Sequence, residues 1–540
     1  MKNSILRILY LLLAVISANL NPVSAGEEAK PNIVFFLVDD LGWSDVGCFG
    51  SRFYETPNID ALAEEGVRFT NAYAACHVCS PTRASILTGK YPATINLTDW
   101  LRGRPNTPFQ KLLNAEIYQH LPYSETTIAE VLKDVGYQTA IIGKWHLGQD
   151  PSDPMAHGFD LHIPDWAINP GRKKGYYKPH LFKGLEDSKE GDYLTDRLAD
   201  KAVEYIEANK EKPFFLYMAH FSVHDPIQGR KDLVEKYKKK LADQPLQEGP
   251  DFILEGNADN PNNPSRKKLD KLMKKPAYSD TYLGGYPNDL VKVKQKQDNV
   301  EFAGMVESVD QSLGRIVAKL KELGIDDNTI VIFFSDNGGM SAANGTPGRK
   351  MKEEDLDMAY STSNLPLRGA KGWLYEGGIR VPLIVKWPEK GQKGIECHEP
   401  VISVDFYPTL LEMIGESDRV TQDKEGKNLV PLVKGKEMER GPIYWHFPHY
   451  SNHALQSPGG AIRDGDYKLL EYFENGTVQL FNLKNDIGEH NDLSEIEIEK
   501  TRELKEKLHQ WRKKVGAQMM QPNPDYDSSI KADVFYKYKK

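Results

Sequence analysis

The chain has 540 residues, 40% of them apolar, and carries 69 Lys and Arg against 77 Asp and Glu for a formal charge of -8. That length buries one large core or two moderate ones without disulfide staples. The mixed, weakly acidic charge leaves no electrostatic footprint for DNA or RNA, which excludes a nucleic-acid partner.

The first 25 residues, MKNSILRILYLLLAVISANLNPVSA, combine a basic start at Lys2 and Arg7, an apolar run from Ile8 to Leu20 and small residues at Val23, Ser24 and Ala25. This is the pattern of a secretory signal peptide cleaved after Ala25, so residues 1–25 are set aside and the remainder is expected to be exported, periplasmic or secreted. No later stretch is long and apolar enough to cross a bilayer, so no membrane span is expected. Export makes the cysteine count informative, and Cys48, Cys76, Cys79 and Cys397 are too few for a disulfide framework.

From there apolar runs of strand length follow in order: NIVFFLV, TAIIG, FFLYMAH, TIVIFF and VPLIVKW. Between them Phe302, Met305, Val306, Val309, Leu313, Ile316, Val317, Leu320 and Leu323 recur at helical spacing, stopped by Gly324. The alternation predicts an α/β fold, a largely parallel sheet flanked by helices. Residues 229–295, rich in Lys, Asp, Asn and Pro, read as a surface excursion with little core, their lysines a solvated face. From residue 438 onward GDYKLLEYF, VQLFNL and a charged helix over 495–514 read as a smaller C-terminal subdomain, which leaves 26–437 as the main domain.

Four of the runs end in polar groups: Asp39-Asp40, Lys144-Trp145-His146, His224, and Asp336-Asn337. Ligands of open α/β sheets bind outside the carboxyl ends of strands, so these residues are expected on one edge. Asp39, Asp40, Asp336 and Asn337 offer only oxygen donors, a set suited to calcium or magnesium.

The stretch AACHVCSPTRASILTGKYP raises a separate question, because Cys76 and Cys79 are spaced C-x-x-C. Ser80 as an N-cap, Pro81 at the first helical position and Gly89 as the stop predict a helix, with Cys79 just outside its N-terminus and Arg83 reaching back. A redox pair fits poorly beside four hard-metal donors, and zinc lacks a second C-x-x-C or a paired His motif. A disulfide from Cys76 to Cys48 or Cys397 stays open.

The run CSPTRASILTG resembles the signature of type I sulfatases, in which the cysteine of C-x-P-x-R is oxidised to formylglycine. The resemblance extends through PNIVFFLVDDLGW, GKWHLG, HGFD, HDP, SDNGG and KGWLYEGGIRVPLIVKWP in the expected order. It is closest in character to secreted bacterial carbohydrate sulfatases and implies an alkaline-phosphatase-like sheet with a C-terminal α+β subdomain built on an antiparallel sheet. It also implies that Asp39, Asp40, Asp336, Asn337 and the oxidised Cys79 hold one calcium ion. Arg83 would fix the nucleophile, Lys144 and Lys371 would bind sulfate oxygens, His146 would hydrogen-bond the hydrate, and His224 would face the leaving oxygen. A formylglycine-generating enzyme becomes an implied partner, and Trp100, Arg102, His446 and His449 are expected at the rim of a sulfated-carbohydrate pocket. The alternatives are a phosphodiesterase or phosphonate monoester hydrolase on the same scaffold, a calcium-dependent glycan-binding protein with unmodified Cys79, and a thiol-disulfide exchange protein.

Overall fold

The computed structural model describes residues 30–148, 153–164, 175–243, 248–279, 284–285, 290–343, 353–421, 423–451 and 457–530. The predicted signal peptide lies outside the described residues. Eight strands form the principal sheet: β1 (Asn32–Val38), β2 (Val67–Phe69), β3 (Gln138–Gly143), β4 (Leu161–Ile163), β5 (Phe214–Ala219), β6 (Thr329–Ser335), β7 (Leu383–Lys386) and β8 (Ile395–Cys397), in the spatial order β8-β2-β7-β6-β1-β5-β3-β4. All neighbours pair in parallel except β7, which runs antiparallel to both β6 and β2.

The apolar runs are continuous because both faces of these strands are covered. Ile33, Phe35 and Leu37 point into one core, and Val34, Phe36 and Val38 into the other. Helix α1 (Cys79–Thr88) contributes Ala84, Ile86 and Leu87 to the first core. Helices α2 (Leu194–Asn209) and α3 (Val300–Glu322) cover the second. Asn299 caps α3 by accepting from the Phe302 amide at 3.0 Å.

The C-terminal part is an antiparallel meander of β9 (Ile443–Phe447), β10 (Gly459–Asp464), β11 (Tyr467–Tyr472) and β12 (Val478–Asn482), with α4 (Ile498–Lys514) packed on β10 and β11. Leu504, Leu508 and Trp511 of α4 join Trp445 and Tyr73 in a third core, so the meander is fastened to the main domain by apolar contact.

One expectation is refined and one corrected. The excursion at 229–295 has little core, as expected, yet it includes helix Lys231–Asp243 and a three-stranded antiparallel sheet of Phe252–Gly256, Leu290–Lys294 and Gly284–Gly285. A small cluster of Leu254, Leu269 and Leu290 holds that sheet, too sparse in apolar residues to register in composition. Helix α1 begins at Cys79 with Val78 as its cap residue, so Cys79 lies in the first turn rather than ahead of it; Gly89 ends the helix at φ 67° as anticipated. Among the described residues no helix is long and apolar enough to cross a membrane.

Candidate active site

Strand register builds the centre of the site. β1 and β6 are adjacent and parallel with Val38 opposite Ser335, so Asp39-Asp40 and Asp336-Asn337 leave the sheet side by side. The Asp336 amide donates to Val38 O at 3.1 Å, and the Asp40 amide to Asp336 Oδ1 at 3.2 Å. On the other flank the Lys144 amide bonds Ala219 O at 2.7 Å, carrying the end of β3 towards the same point. Because β7 alone is reversed, it is the chain entering it, with Lys371, that lies at this edge. Asp40 and His146 hold φ of 63° and 59°, a left-handed backbone that non-glycine residues rarely adopt and that clusters at functional sites.

The polar residues expected on the edge all converge and are buried. Arg83 grips Asp336 Oδ2 through Nε at 2.8 Å and Nη2 at 2.7 Å, while its Nη1 donates to Lys144 O at 2.8 Å. Lys144 Nζ is 2.5 Å from Asp39 Oδ2, and Lys371 Nζ is 2.6 Å from Asp40 Oδ1. Asn337 Nδ2 donates to Asp40 Oδ1 at 2.9 Å, which turns Asn337 Oδ1 the other way. His224 Nε2 lies 3.7 Å from Asp40 Oδ2, with Nδ1 2.8 Å from Asp225 Oδ1. Three carboxylates thus face three permanent cations, and added positive charge would leave the centre attractive to an anionic ester.

Two glycine-rich turns close the site. The Gly338 amide bonds Gly378 O at 3.0 Å, and a Cβ on Gly338 would sit 1.9 Å from Gly377 O, so the SDNGG and EGG turns meet backbone to backbone only because both lack side chains. Sequence reasoning missed the residue that ties them. Asn364 Nδ2 lies 2.8 Å from Gly339 O, 3.0 Å from Gly369 O and 3.1 Å from Gly377 O. Its place in NLPLRG gives no signal of this, because the partners are main-chain carbonyls.

The donor set accommodates a hard cation. Ligand atoms of Asp39, Asp40 and His224 lie within 4.8 Å of one another, as do those of Asp39, Cys79 and Asp336. Asp39 Oδ1 and Asn337 Oδ1 are buried oxygens without a hydrogen-bond partner, and leaving such acceptors unmatched is costly unless a cation takes them. Burial opposes ionisation of Asp39, yet Lys144, His224, Arg83 and Lys371 together hold it well below the usual range. Burial, aided by the Asp39 charge, pushes Asp336 up to about 6.

Cys79 Sγ is 3.1 Å from His146 Nδ1, and His146 Nε2 is 3.0 Å from Leu101 O. A carbonyl only accepts, so Nε2 carries the ring proton and Nδ1 presents its lone pair to residue 79. Burial and the nearby Lys144 charge push His146 well down, which keeps the ring neutral. His224 is shifted up: burial and Lys371 oppose its charge, but Asp40, Asp225 and Asp39 outweigh them.

The rim is placed less uniformly. Trp100 is half-buried against Cys76, Val78 and Phe447, and Arg102 is exposed. His446 and His449, expected beside them, are interior: His446 Nε2 bonds Gln518 O at 2.8 Å, and His449 Nε2 bonds Thr98 Oγ1 at 2.8 Å. Burial pushes each down to about 3, so both rings are neutral and engaged with interior partners rather than exposed on the rim. All four cysteines are free thiols, which sets aside the disulfide from Cys76.

Residues 31–416 match the sequence profile described as Sulfatase, and residues 370–515 match that of the C-terminal region of N-sulphoglucosamine sulphohydrolase. The chain is 28% identical to a sulfatase of Formosa agariphila, over 89% of this chain and 88% of the relative. It is 31% identical to the N-acetylgalactosamine-6-sulfatase of Mus musculus, over 81% of this chain and 72% of the relative. Among solved structures, Ps i-CgsB in complex with k-i-k-neocarrahexaose superposes with a TM-score of 0.63 at 27% identity, covering 89% of this chain and 93% of the other.

Proposed function

The chain belongs to the sulfatase family and is a sulfatase, and from that premise we propose that it hydrolyses sulfate esters of a carbohydrate, with Cys79 oxidised to formylglycine and one calcium ion held by Asp39, Asp40, Asp336, Asn337 and residue 79. The observation that carries this reading is the convergence of four acidic or amide side chains with two buried, unmatched oxygens, Asp39 Oδ1 and Asn337 Oδ1, beside Cys79. Relatives named for a sugar sulfate, a structural neighbour in complex with k-i-k-neocarrahexaose, and the exposed Arg102 beside half-buried Trp100 support the carbohydrate. We also propose that the protein is exported and acquires its formylglycine from a maturation enzyme.

Formylglycine, as its hydrate, supplies a nucleophilic hydroxyl and a second one that lets sulfate leave, while calcium lends the Lewis acidity that draws the ester's charge. The chain's own residues do the rest. Lys144 and Lys371 place ammonium groups where sulfate oxygens are drawn in, a fixed electrostatic stabilisation of charge as the sulfur–oxygen bond breaks. Arg83 donates from Nε to Asp336 Oδ2 and the Asp40 amide donates to Oδ1, so that carboxylate keeps its orientation. His146 Nδ1 accepts a proton from the hydroxyl of residue 79, since Nε2 is committed to Leu101 O. His224, favoured in its protonated form by its carboxylate neighbours, donates to the departing alcohol.

Exhaustive removal of calcium by a chelator is expected to abolish sulfate-ester turnover and to lower thermal stability. Calcium restored at about a hundredfold its Kd returns about 2.7 kcal/mol of stability. A chelated protein that keeps full activity and an unchanged melting curve overturns the metal assignment. Sulfate and phosphate esters of the same alcohol, assayed side by side, are expected to favour sulfate by at least about tenfold, and the reverse preference would place the chain among phosphoester hydrolases of this scaffold.

A further inference from the structure

We propose that the loop of residues 98–104 is a positioning device for His146, with Ser80 as the residue that locks it. The inference rests on the reading of residue 79 as the nucleophile. Four groups close a ring. Cys79 Sγ meets His146 Nδ1 at 3.1 Å, His146 Nε2 donates to Leu101 O at 3.0 Å, the Leu101 amide donates to Ser80 Oγ at 3.1 Å, and Ser80 is peptide-bonded to Cys79. The residue that follows the nucleophile therefore sets, through one main-chain unit, which nitrogen of the base faces it.

The ring is shielded from solvent, with Ser80 at 0% and His146 at 5% exposure. Leu101 is itself buried, and its carbonyl is the acceptor that holds the ring proton on Nε2. If the carbonyl swings away, the proton is free to move to Nδ1, where it points at residue 79 and removes the lone pair that hydroxyl needs.

The loop is anchored on its far side as well. His449 Nε2 bonds Thr98 Oγ1 at 2.8 Å, and Arg104 Nη1 donates to Ser451 O at 3.1 Å. This gives the buried His449 a task of its own, bracing the loop at Thr98. Trp100 and Arg102 flank Leu101 in the chain, so the side chains facing the substrate and the carbonyl orienting the base share one short segment. A ligand seated on Trp100 and Arg102 stiffens the same backbone that orients His146.

Ser80→Ala leaves the C-x-P-x-R spelling intact and removes only the acceptor for Leu101. Peptide mass spectrometry first establishes that its formylglycine content equals that of the wild type. Losing one net hydrogen bond of about 1 kcal/mol is expected to lower kcat by about fivefold with KM unchanged. His449→Gln, which disturbs the distal anchor, is expected to shift kcat in the same direction by less. A second readout needs no turnover: long-range proton–nitrogen spectra of the full chain with labelled histidine, His146 identified by its loss in His146→Gln. The wild type is expected to show only the Nε2–H form and Ser80→Ala a mixture. An Nδ1–H form in the wild type, or Ser80→Ala with unaltered kcat and unaltered His146 signals, overturns the proposal. Intact Nε2–H in a protein that turns over no sulfate ester supports the loop's role and counts against the functional reading instead.

Discussion

Cys79→Ser is expected to lower sulfate-ester turnover by at least about 10⁴-fold while leaving the fold in place, the scale at which a nucleophile is lost but binding and electrostatics persist. The unmodified thiol is itself a poor candidate for the chemistry. Burial raises the Cys79 thiol despite Lys144 and Lys371 nearby, so the nucleophilic thiolate is disfavoured, and a soft sulfur is a weak ligand for a hard cation. Serine offers oxygen but a single hydroxyl. It can take the sulfuryl group once and has no second hydroxyl to expel it, so the variant is expected to release at most one equivalent of alcohol per chain and no free sulfate. Cys76→Ala is expected to retain turnover: Cys76 is buried against Val78 and Phe447, its thiol is also driven up by burial, and it forms no disulfide. Turnover by Cys79→Ser above about a hundredth of the wild-type rate, or an intact thiol at residue 79 in active enzyme, would sink the formylglycine assignment. Equal losses in the two variants would point to the C-x-x-C pair acting together.

What was legible in the sequence follows from how parallel sheets are built. Strands covered on both faces read as unbroken apolar runs, and their carboxyl ends lie on one edge, so Asp39, Asp40, Lys144, His146, His224, Asp336 and Asn337 could be placed together from spacing alone. Lys371 was not legible in that way, because it precedes a strand whose reversal no local pattern announces; only the family resemblance pointed to it. The histidines of YWHFPHY read as rim residues or as packing between the subdomains, and their burial was not legible either. Alternation in β9 does not say which face meets another domain, and His446 turned out to pack beneath Phe473 and to bond Gln518 O. Leu101 and Asn364 escaped notice because their partners are main-chain groups or lie far along the chain, and an apolar side chain advertises nothing about its carbonyl. The stretch around NLTDWLRGR, uninterpretable as sequence, supplies the Leu101 carbonyl that His146 Nε2 bonds.

Lys468→Met is expected to destabilise the protein by about 3–5 kcal/mol, the cost of stranding buried charge. Lys468 Nζ is fully buried at 2.9 Å from Glu376 Oε1 and 2.9 Å from Glu489 Oε1. Tyr73 donates its hydroxyl to Glu376 Oε2 at 2.7 Å and is itself contacted by Arg463 of β10, while the Glu376 amide donates to Glu489 Oε2 at 2.7 Å. Burial raises both carboxyls, but Lys468, Arg380 and Arg463 pull Glu376 down to about 2, whereas burial and the Glu376 charge leave Glu489 up at about 7. Removing the lysine leaves Glu376 facing Glu489 in a site that water does not reach. The effect is expected to extend to the metal, because Glu376 begins the EGG turn whose Gly378 O receives the Gly338 amide, one residue from Asn337. Denaturant titration with and without calcium therefore should show both a lower midpoint and a smaller calcium increment in Lys468→Met. Adding Glu489→Gln, which removes one of the stranded charges, is expected to recover part of the loss. Glu489→Gln alone has a pH signature. A carboxyl raised in the folded state contributes stability that is complete below 4.5 and lost as pH rises through about 7, so the variant is expected to flatten that decline. A cost below about 1 kcal/mol for Lys468→Met, or a calcium increment equal to the wild type's, would mean that this buried cluster neither holds the C-terminal meander to the main domain nor supports the turn beside Asn337.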